Sequence, residues 1–255
     1  IGDKVRIVEA WQRKGMVVAM TGDGINDAPA LKVADIGCAM GSGAEISKDC
    51  ADIILVDSNY NTIIKAIKNG RGIYENIKRC CKYLLSSNIG EVLTIFVASF
   101  IEAVFSVKLG LPLGAMHLLW INLITDSLPA FGIGMEEAED EIMLEKPRPK
   151  HEGFFANGYA VKIVLEGIVI GAVTLIAYLI GQNAPGYDHA QQHMIGQTMA
   201  FLTLSSTQLF HAYNVKSEYS IFDKRAYKNK FMNMAFIIGF VLQIIVIYSP
   251  VINDT

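Results

Sequence analysis

Charge is scarce in this 255-residue sequence: Asp, Glu, Lys and Arg make up 18% of it, against 52% hydrophobic residues. That balance is wrong for an ordinary soluble domain and points to membrane spans. The formal net charge of -3 is too small for a polyanion-binding surface, which argues against nucleic acid as a partner. Cysteine is sparse as well. Cys38, Cys50, Cys80 and Cys81 form no Cys-x-x-Cys pair and have no histidine at metal spacing, so they read as reduced thiols. No charged start followed by a short apolar core is present, so no signal peptide is expected. The chain opens on Ile1 inside a helix-like stretch and reads as a fragment.

What is present is unevenly spread. Residues 1 to about 79 resemble a soluble α/β domain, and beyond Lys82 long apolar stretches alternate with short polar loops. Val5, Ile7, Val8 and Trp11 repeat at roughly helical spacing within Lys4–Arg13, and Gly15 ends that helix. Met16–Met20 is an unbroken apolar run, as expected of a strand buried on both faces of a parallel sheet. Asp27–Val33 then reads as a helix with Pro29 in its first turn. Ile36–Met40 and Ile53–Val56 read as further strands with a small helix between them. Strand and helix alternate, the pattern of a doubly wound α/β unit.

The most informative residues follow the first strand: Thr21-Gly22-Asp23-Gly24-Ile25-Asn26-Asp27-Ala28-Pro29-Ala30-Leu31-Lys32. Ligands of open parallel sheets bind at the carboxyl ends of strands. Two glycines permit a sharp turn, and Asp23 and Asp27 straddle it. Paired carboxylates beside a helix N-terminus suit a hydrated Mg²⁺ next to a phosphoryl group. An Asp-Gly turn with a capped helix would be the plainer explanation, but it does not account for the whole set of residues.

This stretch resembles the hinge motif of P-type ATPases, whose phosphorylation domain has the haloacid-dehalogenase fold. The resemblance implies that Asp23 holds Mg²⁺, that Asp27 is the second carboxylate near the phosphoryl site, and that Asn26 contacts the phosphoryl group. Thr21 and Gly22 would line the same site, and Lys4 matches the family's phosphate-binding lysine. The family's nucleophilic Asp-Lys-Thr-Gly-Thr motif does not occur in the sequence, and neither do its actuator domain and its nucleotide-binding domain, where most of the ATP contacts lie. The fragment alone is expected to be inactive.

Downstream, five stretches approach the roughly 20 residues that span a bilayer: about 84–105, 117–135, 160–180, 197–213 and 231–248. Lys78, Arg79, Lys82, Lys146, Arg148, Lys150, Lys216, Lys224, Arg225, Lys228 and Lys230 fall on one side, and only Lys108 on the other. The positive-inside rule therefore places residues 1–83 in the cytosol. Asn61–Tyr83, with Ile63, Ile64, Ile67, Ile73 and Ile77, reads as an amphipathic stalk running into the first span. Glu136–Glu152 reads as a mostly solvated loop, and Lys162 and Glu166, four apart, as a pair. His117, His211 and Gln243 read as packing residues.

The first two spans are the most polar. Asn88 and Glu91 share a helix face, as do Asn122, Thr125 and Asp126. Counting from the apolar edges puts Glu91 roughly 10 Å and Asp126 roughly 16 Å below the cytosolic edge, close enough to share an ion. Pro129 has no N–H, so the carbonyl of Thr125 loses its helical donor. Carboxylate, amide and carbonyl oxygens suit a hard cation. Polar groups joining packed helices would be the alternative, and it accounts poorly for two carboxylates.

Ser86–Glu91 with Leu119–Ala130 resembles helices five and six of calcium pumps of the sarcoplasmic-reticulum type. That resemblance implies a Ca²⁺ site of Asn88, Glu91, Thr125 and Asp126, with Asn122 and Asp126 serving a second. Gln208 stands where two-site pumps have a Glu, similar to plasma-membrane calcium pumps, which implies one Ca²⁺ per ATP. The expected fold is thus α/β over 1–60, the C-terminal part of a haloacid-dehalogenase-like phosphorylation domain. A stalk follows over 61–83, then an all-α transmembrane bundle over 84–248. The expected protein is an ATP-driven Ca²⁺ exporter in the plasma membrane. Its competitors are a Mn²⁺ or Na⁺ pump and a membrane-anchored phosphatase.

Overall fold

The computed structural model describes residues 2–57, 59–149, 152–219 and 223–248; Lys150, one of the basic loop residues above, lies outside them. The chain divides into two compact units, Ile1–Gly72 with Ala138–Phe154, and Ile73–Glu137 with Phe155–Thr255.

The first unit holds three parallel strands, β1 (Ala19–Gly22), β2 (Ile36–Met40) and β3 (Ile53–Leu55), in that spatial order. Thr21 lies opposite Cys38, and Cys38 opposite Ile53. Helices α1 (Gly2–Arg13), α2 (Ala28–Val33) and α3 (Glu45–Asp49) connect and cover them, as a doubly wound unit requires. Helix α1 ends as expected at Gly15, whose φ of 79° only glycine adopts cheaply. Gly15 N–H bonds the Gln12 carbonyl at 2.9 Å and Met16 N–H the Trp11 carbonyl at 3.3 Å, a Schellman closure. Of the residues thought to form its apolar face, Val8 is buried, whereas Ile7 and Trp11 are exposed.

The first strand sits later than its apolar run implied. Met16 and Val17 are exposed and precede β1, because pairing starts at Ala19 opposite Ile36. Val18 donates instead to the Asp35 carboxylate at 2.9 Å. Between β1 and α2 the chain makes a single 3₁₀ turn, Ile25–Asp27, so the predicted helix begins one residue late, at Ala28.

Helix α4 (Tyr60–Phe105) is continuous over 46 residues, merging the predicted stalk and first span. Within the first unit its early turns hold the 138–154 segment: Lys68 meets Asp140 at 2.5 Å, and Arg71 donates to the carbonyls of Ile142 at 2.8 Å and Glu145 at 3.1 Å. A Cβ on Gly72 would overlap Ala138. The loop is thus tied down through Asp140, Ile142 and Glu145, while Glu141 and Met143–Pro149 stay exposed, as its many charges implied.

The second unit is helical. A broken segment comes first: α5 (Ala115–Trp120), a π turn (Ile121–Thr125) and α6 (Ser127–Gly134). Then follow α7 (Tyr159–Gln182), α8 (His189–Val215) and α9 (Lys230–Tyr248). Among the described residues three helices are long and apolar enough to cross a membrane: Asn61–Phe105, Tyr159–Gln182 and Lys230–Tyr248. The predicted 197–213 stretch lies inside α8, whose 27 residues carry many polar side chains; the 117–135 stretch is the broken segment.

The broken segment runs antiparallel to α4. Asn76 donates to the Glu136 carbonyl at 2.7 Å, Cys80 approaches the Ala130 carbonyl, Tyr83 meets Asp126 and Glu91 meets Asn122. As the α4 residue number rises, its partner's falls. Helix α7 approaches α4 through small residues, since a Cβ on Gly167 would strike Ile89 and one on Gly171 would lie 3.0 Å from the Gly90 carbonyl. Such contacts bring helix backbones together where lipid offers no hydrophobic drive. Two apolar clusters complete the unit, one around Ile121, Tyr178 and Leu204 and one around Tyr83, Ile133 and Met232. Lys216, fully buried, pairs with Glu136 at 3.2 Å, and Asn229 donates to the same carboxylate at 2.7 Å.

Candidate functional site

In the first unit, β1 delivers Asp23 to the strand's carboxyl end. The Asp23 carbonyl accepts from Ala44 N–H at 2.8 Å, and Ser47 Oγ donates to the Gly24 carbonyl at 2.7 Å. The turn is thereby fixed from below. The two aspartates then play different parts. Asp27 is buried; its carboxylate accepts from the backbone N–H groups of Asp23 and Gly24, each at 3.3 Å, and pairs with the Lys4 ammonium. The Lys4 hydrogen bond holds the Asp27 carboxyl below the usual carboxylate range, helped by the two amides and opposed by burial. Gly22 is required here, because a Cβ would lie 2.5 Å from that of Asp27.

Asp23 and Asn26 are exposed. The Asp23 carboxylate has no protein partner among the described residues. An open carboxylate on a fixed backbone at a strand end fits a single-carboxylate ligand for hydrated Mg²⁺. Lys4 and Asp27 belong to the same corner, joined to each other, with Thr21 one position before Gly22 on β1.

In the second unit, the buried residues of α4 form a stripe at helical spacing: Asn76, Tyr83, Ser86, Ser87, Gly90, Glu91, Thr94 and Ala98. Glu91 lies on it and Asn88 does not. Asn88 is exposed and donates to the Leu84 carbonyl at 2.7 Å, so the structure leaves it outside the cluster; a three-residue offset shares a face only loosely. Glu91 is held from two sides. Asn122 Nδ2 donates to one carboxylate oxygen at 3.0 Å and Gln208 Nε2 to the other at 3.0 Å. Thr125 and Asp126 are buried. One Asp126 oxygen accepts from Tyr83 OH at 3.1 Å; the other, and the Gln208 side-chain oxygen, have no hydrogen-bond partner among the described residues.

The expected depths are reversed. Asp126 faces Tyr83, eight residues before Glu91 on α4, so it lies nearer the N-terminal end of that helix than Glu91 does. Counting from Leu84 misled because α4 has no edge there; the helix runs on unbroken from Tyr60. The π turn was equally invisible: Asp126 N–H bonds the Ile121 carbonyl at 2.9 Å, an i to i−5 bond common at functional sites.

Sequence reasoning also missed Tyr83 as a partner of Asp126, although the buried stripe would have found it. The predicted Lys162–Glu166 pair is replaced by Lys82–Glu166 at 2.6 Å, since Glu166 points across to α4 and not along α7. His211, read as packing, bonds Ser86 Oγ at 2.8 Å. No group of three His, Cys, Asp or Glu side chains converges among the described residues, so an ion here would rely on two carboxylates plus neutral oxygens.

A three-stranded parallel unit with an open aspartate after its first strand has the form of a haloacid-dehalogenase-like domain, and residues 5–67 match the family described as haloacid dehalogenase-like hydrolase. Residues 110–255 match the family described as cation transporting ATPase, C-terminus. The chain is 42% identical over 97% of its length to the calcium-transporting ATPase of Bacillus subtilis strain 168, covering 27% of that protein. It is 41% identical to calcium-transporting ATPase 1 of Bacillus cereus and 40% to a calcium-transporting ATPase of Listeria monocytogenes, again over 97% of the chain. The chain belongs to the cation-transporting P-type ATPases, as the C-terminal region comprising the end of the dehalogenase-like domain and the membrane helices that follow. It spans about a quarter of the length of the curated relatives it matches.

Proposed function

We propose that the full pump exports Ca²⁺ from the cytosol across the cell membrane, coupled to an aspartyl phosphate formed on a residue outside this chain. The observation that carries the reading is Glu91, a buried carboxylate gripped by Asn122 and Gln208, with unpartnered buried oxygens on Asp126 and Gln208 close by in the same helix cluster. Ionisable groups within apolar helices are expensive and mark ion paths. Two carboxylates with amide, hydroxyl and carbonyl oxygens suit a hard divalent cation and offer nothing to a soft one.

The Ca²⁺ ligands on this reading are Glu91, Asp126, Asn122, Thr125 and Gln208, with Asn88 left out. Both amides now present N–H groups to Glu91, so loading the ion would include a half-turn of each amide to bring its oxygen inward. The reading has five spans, about 84–105, 117–135, 160–180, 197–213 and 231–248, with residues 1–83 on the cytosolic side, where ATP is bound by domains outside this chain.

At the other site Asp23 would hold Mg²⁺, which when bound offsets charge on the transferring phosphoryl group. Asn26 would face that group from the same turn. Lys4 and Asp27, locked together, keep the turn in shape. The deciding experiment is ATPase activity of the full-length pump across a series of cations. Activation by Ca²⁺ that is lost in Asp126→Asn supports the reading; activation by Mn²⁺ or Na⁺ in place of Ca²⁺ overturns it.

A further inference from the structure

A cavity of about 480 Å³ lies in the second unit where the Glu75–Lys82 stretch of α4 meets the start of α7 and the residues that end and follow α8. Lys78, Arg79, Lys82 and Lys162 line it, against the carboxylates of Glu75 and Glu218. Lys82 is closely paired with Glu166 at 2.6 Å, which leaves Lys78 and Lys162 as the cations held least tightly by acids. Lys78 stands 3.9 Å from Glu75. So long a contact between partly exposed groups contributes little. Lys162 has no ion pair among the described residues.

The wall is built to hold its cations in place. Arg79 donates to the Lys216 carbonyl at 2.9 Å, and Lys78 rests over the Tyr159 ring at 4.7 Å from its centre. The Tyr159 hydroxyl in turn donates to the Lys78 carbonyl at 2.7 Å. A second observation points independently to a ligand. Ser217 lines the cavity, is 6% exposed, and its buried hydroxyl has no hydrogen-bond partner among the described residues. A buried hydroxyl without a partner is costly unless something else supplies one.

We propose that this cavity binds a phosphate-bearing anion, and that its occupant is the headgroup of an anionic phospholipid. The anion chemistry follows from the excess of cations and the unpartnered hydroxyl, which together offer a phosphate several charge-assisted donors. The lipid follows from position. The cavity lies at the rim where the apolar stretches beginning near Leu84 and Ile163 start and that of α8 stops, so acyl chains would run beside those helices as the headgroup enters. Basic pockets between membrane helices bind anionic headgroups in this way. This inference rests on the membrane placement of the helices and not on which ion is carried.

The test uses the full-length pump, solubilised from vesicles of phosphatidylcholine alone or of equal parts phosphatidylcholine and phosphatidylglycerol, with retained lipid measured by native mass spectrometry. Phosphatidylglycerol is expected to be retained in preference to phosphatidylcholine. Lys162→Gln should weaken that retention about fivefold, the effect of one basic residue at a charged membrane surface, and Lys162→Arg should restore it. Lys162 is exposed, and Lys108→Gln serves as the basic-residue control away from the cavity. Equal retention of the two lipids, or retention unchanged in both Lys162→Gln and Lys78→Gln, overturns the proposal. A parallel titration of the lipid-depleted pump with inorganic phosphate separates the sources. Phosphate binding that depends on Lys162 while phosphatidylglycerol retention does not would make the occupant a free anion and overturn the lipid assignment. Loss of Ca²⁺ activation with intact lipid retention would count against the transport reading alone.

Discussion

Gln208 and Glu91, 117 residues apart in sequence, meet as buried neighbours, the Gln208 amide donating to a Glu91 oxygen at 3.0 Å. A neutral amide thus stands against the principal carboxylate. Calcium affinity rises with the number of charged ligands. One Ca²⁺ per ATP, with a Hill coefficient near unity, is the expected stoichiometry, and Gln208→Glu should raise Ca²⁺ affinity. Two Ca²⁺ bound per phosphorylation site in the unmodified pump would show that the amide oxygen suffices.

Glu91→Gln and Asp126→Asn each remove one charge from the set. Each is expected to raise the Ca²⁺ concentration for half-activation by about tenfold or more, while phosphorylation by inorganic phosphate in the absence of Ca²⁺ survives. An unchanged Ca²⁺ dependence in Asp126→Asn would remove it from the ligand set.

The two hinge aspartates should separate cleanly. Asp23→Ala is expected to abolish phosphoenzyme formation yet leave thermal stability nearly unchanged, since its side chain is exposed. Asp27→Ala strips the turn of its anchor and is expected to destabilise the domain by about 1–3 kcal/mol. The pH sign follows. The Asp27 carboxyl titrates lower in the folded state than in the unfolded chain, so its contribution is present above the unfolded value and disappears as pH falls through the folded one. Asp27→Asn should therefore flatten the acid limb of the melting curve; an unaltered limb would contradict the assignment.

Lys82 and Glu166 should be coupled and Lys162 and Glu166 should not. A double-mutant cycle on 82 and 166 is expected to return about 0.5–1 kcal/mol for this partly exposed pair, and the cycle on 162 and 166 near zero. The reverse result would restore the pairing along α7.

Gly167→Leu is expected to cost about 1–3 kcal/mol by overpacking against Ile89 and the Ser86 carbonyl. Thermal melting of the pump in detergent would read it; an unchanged melting temperature would mean that α4 and α7 do not rely on this contact.

The strand-helix alternation of the first unit was legible because apolar runs and glycine turns are local signals. Ile36–Met40 needed no adjustment. Asp23 was legible as a site residue from its place after a strand, but the division of labour with Asp27 was not, because it depends on Lys4 arriving from 23 residues away. In the second unit Glu91, Asn122, Thr125 and Asp126 could be named from polar residues sharing a face within apolar stretches, and Gln208 only through the resemblance. Their relative depth could not, since an apolar edge leaves no mark on a helix that continues through it. Lys82 could not be matched to Glu166 because their pairing is a property of two helices, and spacing reports only one.

The π turn between Trp120 and Asp126 has a mechanical consequence. It stores one residue of slack over a length of axis that an α turn would fill with fewer. If that slack were drawn out, everything beyond it would be re-phased by about 100°, the angular step of one residue. Asp126 would then exchange Tyr83 for a different neighbour. A helix so indexed can present or withdraw a carboxylate by a click of its own winding, with Asn122 on one side of the slack and Asp126 on the other.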